Sequence, residues 1–142
     1  MATIINIADA VVAELNGGSF SQSFSAERHY VPLFELKDMK QLRVTVVPKG
    51  LSVGAHSRSQ NLVDYQVDVA VQKKFATGDA AELDPLMTLV EEIADFFRLR
   101  RLTAYPGAAW VKTENAPVYA QEHYDELRQF TSVITFTFRV GR

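Results

Sequence analysis

Apolar and polar positions alternate most regularly at Val63, Tyr65, Val67, Val69 and Val71, with Asp64, Gln66, Asp68 and Gln72 on the opposite phase. A period of two sends successive side chains to opposite faces, so residues 62–75 are predicted to form a strand with one buried and one solvated face. A second such run closes the chain. Phe130, Ser132, Ile134, Phe136, Phe138 and Val140 alternate with Thr131, Thr135, Thr137 and Arg139, predicting a strand over residues 130–140. Leu42, Val44 and Val46 predict a short strand over residues 42–47, which Pro48 is expected to end. Residues 20–30 alternate as well. Phe20, Gln22, Phe24, Ala26, Arg28 and Tyr30 stand against Ser21, Ser23, Ser25, Glu27 and His29, and this stretch is read as another strand. Residues 110–113 are read as a short strand after a turn at Pro106 and Gly107.

Two stretches follow the helical period instead. Ile4, Ala8, Val11, Val12 and Leu15 form one stripe, predicting a helix over residues 3–15 with Thr3 as its N-cap. Asn16, Gly17 and Gly18 are its stop signal, because glycine takes the left-handed conformation at low cost. Leu83, Leu86, Met87, Val90, Ile93, Ala94 and Phe97 predict a second helix over residues 83–99, starting at Asp84 and Pro85. Arg98, Arg100 and Arg101 then fall in its last turn, where cations complement the helix dipole. Asp79, Glu82 and Asp84 near its start are read as capping and dipole-compensating carboxylates. Residues 33–40 read as a connection, and residues 119–128 as either helix or loop.

The resulting order is helix, three strands, helix, then one or two strands. Strands joined by loops pair antiparallel most easily. The expectation is therefore a single α+β domain over residues 1–142, with a mainly antiparallel sheet and two helices packed on one face. Val11, Leu15, Val67, Val69, Leu86, Val90, Ile93, Phe97, Ile134 and Phe136 are the expected core.

Composition narrows the chemistry. The 142 residues include no cysteine, which removes disulfides, thiol nucleophiles and cysteine-based zinc sites. The formal net charge is −2, without the basic excess of a general nucleic-acid binder. No basic n-region opens the chain, and no apolar run approaches the roughly 18 residues of a membrane span, so the chain reads as cytosolic. His29, His56 and His123 show no metal-type pairing and read as surface residues. No Gly-x-Ser-x-Gly elbow is present, and Gly50 and Gly54 lack the Gly-Lys-Ser/Thr end of a phosphate loop. The expectation is a protein without catalysis, cofactor or metal. Arg98, Arg100 and Arg101 read mainly as a solvated helix end, with a phosphate contact as the weaker alternative.

Two features point to contacts with other chains. Tyr105, Trp110 and Tyr119 stand in proline-containing stretches where aromatic residues suit a subunit interface. Residues 49–60 read as a loop too long and too polar for a tight hairpin. Lys49, His56 and Arg58 make it mildly basic; it reads either as an exposed mobile loop without a partner or as a contact arm, and a contact would be to a neighbouring protein in preference to DNA.

Three segments carry a family resemblance. One is Arg28-His29-Tyr30-Val31-Pro32, running through Phe34-Glu35-Leu36 to Leu42-Arg43-Val44-Thr45-Val46-Val47-Pro48. The second is Tyr65-Gln66-Val67-Asp68-Val69-Ala70-Val71-Gln72-Lys73-Lys74, followed by the apolar stripe from Leu86 to Phe97. The third is Phe130-Thr131-Ser132-Val133-Ile134-Thr135-Phe136-Thr137-Phe138-Arg139. In this order they resemble the small neck and tail-terminator, or tail-completion, proteins of long-tailed bacteriophages. The resemblance implies a virion subunit, assembled in the host cytoplasm into a ring commonly of six copies. It would cap the tail tube, dock to the neck or connector protein, and let DNA pass only through its channel. A neighbouring neck or head-completion subunit is the alternative within this class. A small binding module for a host protein or nucleic acid is the alternative from another class.

Overall fold

The computed structural model describes residues 2–30, 41–55, 61–76, 78–115 and 129–141. Its elements are α1 (Thr3–Gly17), β1 (Ala26–Arg28), β2 (Arg43–Ala55), β3 (Asn61–Lys74), α2 (Ala80–Phe96), β4 (Arg101–Leu102), β5 (Tyr105–Glu114) and β6 (Gln129–Gly141). The strands form one six-stranded sheet in the order β1-β2-β3-β6-β5-β4. The α+β class stands, but the sheet is mixed: β1 runs parallel to β2, while the other pairs are antiparallel.

The two strongest alternations meet at the centre of the sheet. Val67 lies opposite Phe136, and Val69 opposite Ile134. These side chains, with Val63, Tyr65, Val71 and Phe138, share one core with Ile7, Val11 and Leu15 of α1 and Leu86, Leu89, Val90 and Ile93 of α2. All ten expected core residues are buried. Phe97 joins α2 to the sheet, its ring 4.7 Å from Phe136 in an edge-on arrangement. Such packing adds to the area that these large side chains bury.

Several boundaries differ from the expectation, each for a local reason. Ala2 occupies the N-cap of α1, with no side-chain cap, and Thr3 is the first helical residue. The helix stops where the glycines stand, but Gly18 has φ −88°, so left-handed freedom is not the cause. A Cβ on Gly18 would sit 2.9 Å from the Phe20 ring and 3.0 Å from the Phe96 ring, so glycine permits the aromatic residues to close over the helix end. Residues 20–25 form no strand. Phe20 packs at 5.3 Å from Phe24 and 5.1 Å from Phe96, and the Ser21 hydroxyl donates to Glu92 at 2.6 Å. Only Ala26–Arg28 joins the sheet, where the Asn16 side-chain amide accepts from Ala26 N–H at 2.8 Å and donates back to its carbonyl at 3.2 Å.

Pro48 does not end β2. The Val46 carbonyl accepts from His29 N–H, so it faces away from β3. Two residues on, the nitrogen of Pro48 faces the same outer side, where no ladder bond from it is required. Lys49 is an extra residue there: Pro48 pairs with Val67 and Gly50 with Gln66. This bulge carries the strand on to Ala55, so the expected loop over residues 49–60 is strand for its first seven positions.

α2 begins earlier than expected. Asp79 is its N-cap and accepts from Glu82 N–H at 3.0 Å, while Glu82 accepts from Ala76 N–H at 2.6 Å. Pro85 therefore lies inside the helix, where the hydrogen bond it cannot make lies in the second turn, with its ring exposed. The helix ends at Phe96, before the three arginines, yet Arg100 Nε donates to the Phe96 carbonyl at 2.9 Å and serves the helix end from outside. Pro106 and Gly107 lie within β5, and the turn falls at Thr103 and Ala104 instead.

Candidate interaction surfaces

The helix-free face of the sheet is polar, and its charges are matched across strands. Arg139 donates to both carboxylate oxygens of Asp64, at 2.7 and 3.1 Å. Its hydrogen bond is the largest influence holding the Asp64 carboxyl below the usual aspartate range, against partial burial. Thr135 donates to Asp68 at 2.6 Å, and Lys112 pairs with Glu114 at 2.7 Å. Exposed pairs of this kind contribute little to stability, but they fix which charges the face presents.

Lys49 stands at the bulge of β2, half-exposed, with Nζ 3.8 Å from Asp68 and 3.4 Å from Thr135. Its expected companions His56 and Arg58 lie outside the described residues, as does Tyr119. Tyr105 and Trp110 are on β5 and pack partly against the core. Trp110 lies opposite Phe138, and its Nε1 donates to the Thr113 hydroxyl at 2.8 Å. The structure does not bring Lys49 together with these two aromatic residues, because β3 and β6 lie between their strands. The three arginines also separate: Arg100 pairs with Glu14 at 3.3 Å, and Arg101 donates to the Pro106 carbonyl at 3.1 Å.

Among the described residues the sheet is open at both sides. β1 pairs with β2 only through Val44, Thr45 and Val46. β4 pairs with β5 only through Ala109 and Tyr105. Among the described residues, no strand covers the outer side of residues 47–55 of β2 or residues 110–114 of β5. Such edges present unpaired N–H and C=O groups to any extended partner.

Exposed apolar side chains mark the same edges. Leu51 and Val53 on β2 are 55% and 58% exposed, although their partners Tyr65 and Val63 are buried. Leu99, between α2 and β4, is 83% exposed and holds φ 58°, a conformation uncommon outside glycine and asparagine. Sequence reading missed these three. The extra Lys49 shifts the apolar phase from Val44 and Val46 to Leu51 and Val53, which breaks a strict period of two. The resumed Leu51, Val53, Ala55 alternation was the available signal.

A cleft of about 690 Å³ lies between residues 22–27 and the start of β2, and its lining is mostly polar. Its cationic side chains are Arg43 and Lys73, and no histidine lines it. Among the described residues no group of three or more histidine, aspartate or glutamate side chains is placed to hold a metal ion. No described helix is long and apolar enough to cross a membrane.

No protein-family model matches the chain, and no curated protein matches it. Among solved structures, the chain is similar to the sheath/tube terminator of an extracellular contractile injection system, the PVC, in its extended state. The identity is 16% and the TM-score 0.47; the match covers 100% of this chain and 57% of the length of that one.

Proposed function

We propose that this protein is a structural subunit of a phage-like particle, a ring-forming tail terminator that caps the tail tube and docks to the neck. In this reading it is a building block without catalysis or cofactor, assembled in the host cytoplasm and carried at the head-proximal end of the tail. The three segments that resemble neck and tail-terminator proteins support it. The structural observation that carries it is a single sheet in which, among the described residues, β2 and β5 each keep an outer stretch without a paired strand, on opposite sides. Two different patches that meet head to tail generate a ring when the rotation between copies closes. Tube protein and neck protein would then bind the two rims of that ring, and DNA would only pass through.

The test is mass by light scattering over a concentration series, with negative-stain images of the same samples. Ring-shaped particles of one defined mass are the expected result. A chain that stays monomeric throughout and also leaves purified tail tubes uncapped would sink the reading.

A further inference from the structure

One polar group on the helix-free face stays without a partner. Thr137 is the middle residue of a cross-strand row, with Gln66 on β3 at one side and Lys112 on β5 at the other. It is 3% exposed, and its hydroxyl neither donates nor accepts a hydrogen bond. Leaving a buried hydroxyl unpaired costs stability, and valine would fill the same space without that cost. Thr137 also lines a hollow of about 190 Å³ that opens on this face, together with Leu51, Ser52, Asp64, Gln66 and Lys112. One staggered step about χ1 exchanges the hydroxyl and the methyl of a threonine, so this hydroxyl can turn to a group seated in the hollow.

The hollow offers an acceptor on one wall and a donor on the other. On the β3 side stands the Asp64 carboxylate; both of its oxygens accept from Arg139, and each keeps a further lone pair. On the β5 side stands the Lys112 ammonium, which pairs with Glu114 and has three N–H groups to give. The two walls rise from strands roughly 10 Å apart, two spacings of about 4.8 Å. Formal charges cancel on this face: Lys49, Lys112 and Arg139 match Asp68, Glu114 and Asp64. A carboxylate entering the hollow meets Asp64, and an ammonium meets Lys112, so neither is favoured. A hydroxyl both donates and accepts, but from a single atom. A primary carboxamide is neutral and carries its donor and its acceptor on two separate atoms.

We propose that this hollow is a subsite for the carboxamide of a glutamine or asparagine side chain, carried by a partner protein that packs across the helix-free face. The amide nitrogen donates to Asp64, and the amide oxygen accepts from Lys112 and from the turned Thr137 hydroxyl. Binding thus pairs the one hydroxyl that folding leaves unpaired, and the matched charges around it disfavour a strongly charged neighbour. The inference goes beyond the ring-forming reading and does not depend on it, because a single chain holds the whole site.

Propionamide, propionate and propylammonium are close in size and differ in charge, so they probe the hollow directly. Each is titrated into the full-length, nitrogen-15-labelled chain and followed by NMR. Propionamide should move the backbone amide signals of Thr137, Gln66 and Lys112 along saturable curves, and the two ions should leave them in place. Thr137→Val should weaken propionamide binding about tenfold, the worth of one hydrogen bond, without lowering the melting temperature. Thr137→Ser, which keeps the hydroxyl, should bind like the parent. Ser52→Leu, at the exposed rim, should fill the hollow and abolish binding at the parent's melting temperature. No saturable shift in the parent chain would mean that water alone fills the hollow, and would overturn the inference. Equal binding of all three probes, or undiminished binding by Thr137→Val, would overturn it as well. So would a Thr137→Val melting temperature well below the parent's, because it would show the hydroxyl already paired. None of these outcomes bears on the light-scattering test of ring formation.

Discussion

Arg100 pairs with Glu14 across 86 positions of sequence, its Nη1 3.3 Å from Oε2, and so ties the flank of α1 to the segment that leaves α2. The Glu14 side chain is only 7% exposed and also accepts from Thr103 N–H at the β4–β5 turn. One carboxylate thus gathers both helices and the far side of the sheet. Glu14→Ala leaves the Thr103 N–H without that acceptor and should cost roughly 1–3 kcal/mol. Urea unfolding measures it, and an unchanged midpoint would show that the contact adds nothing to stability.

The same carboxylate gives a pH dependence. Burial pushes its pKa up, but hydrogen bonds from Thr103 and the Arg100 charge outweigh this and hold it below the usual glutamate range. A folded-state pKa below the unfolded one means the folded state binds fewer protons. The stabilisation is complete above the unfolded value and is lost as pH falls through the folded one. The urea midpoint should therefore fall below about pH 4, where unfolded glutamate takes up its proton. Glu14→Gln should start lower at neutral pH and fall less steeply. Parallel profiles for the two proteins would contradict the assignment.

Gly18 offers a test of space without backbone strain. Its φ suits any residue, so Gly18→Ala changes mainly the contact with Phe20 and Phe96. Overpacking costs typically ~1–3 kcal/mol, partly offset by the smaller entropy of the unfolded alanine chain. A net loss near ~1 kcal/mol is expected by thermal melting. A gain in stability would mean that the part-buried Phe20 moves aside freely.

Val69→Ala and Ile93→Ala probe the two sides of the core. Both side chains are fully buried, one on the central strand and one on α2. Each should cost roughly 1–4 kcal/mol, the range for large-to-small core changes. Midpoints that stay put for both would mean the register of β3 or the rotation of α2 is wrong.

The sequence alone determined the centre of this protein. Val63 to Val71, Phe130 to Val140 and the two apolar helix stripes each sit in a strict local period. A period of 2.0 or 3.6 residues leaves one way to bury the apolar side, whatever the neighbours do. Tertiary structure decided the margins. Residues 20–25 alternate like a strand, but Phe20 and Phe24 find an aromatic cluster with Phe96 and leave the sheet to three residues. Pro48 looks like a stop, but it stands where no described strand pairs with β2 on that side, and the Lys49 bulge then reverses the phase of the strand after it. Asp84 and Pro85 look like a helix start, but Asp79 and Glu82 cap the chain earlier. The exposed apolar residues at the sheet's margins were least legible of all. Leu51 and Val53 read as part of a polar loop, and Leu99 as one more residue of a helix end. Only the sheet order, which pairs residues tens of positions apart, places these sites on opposite sides of one sheet.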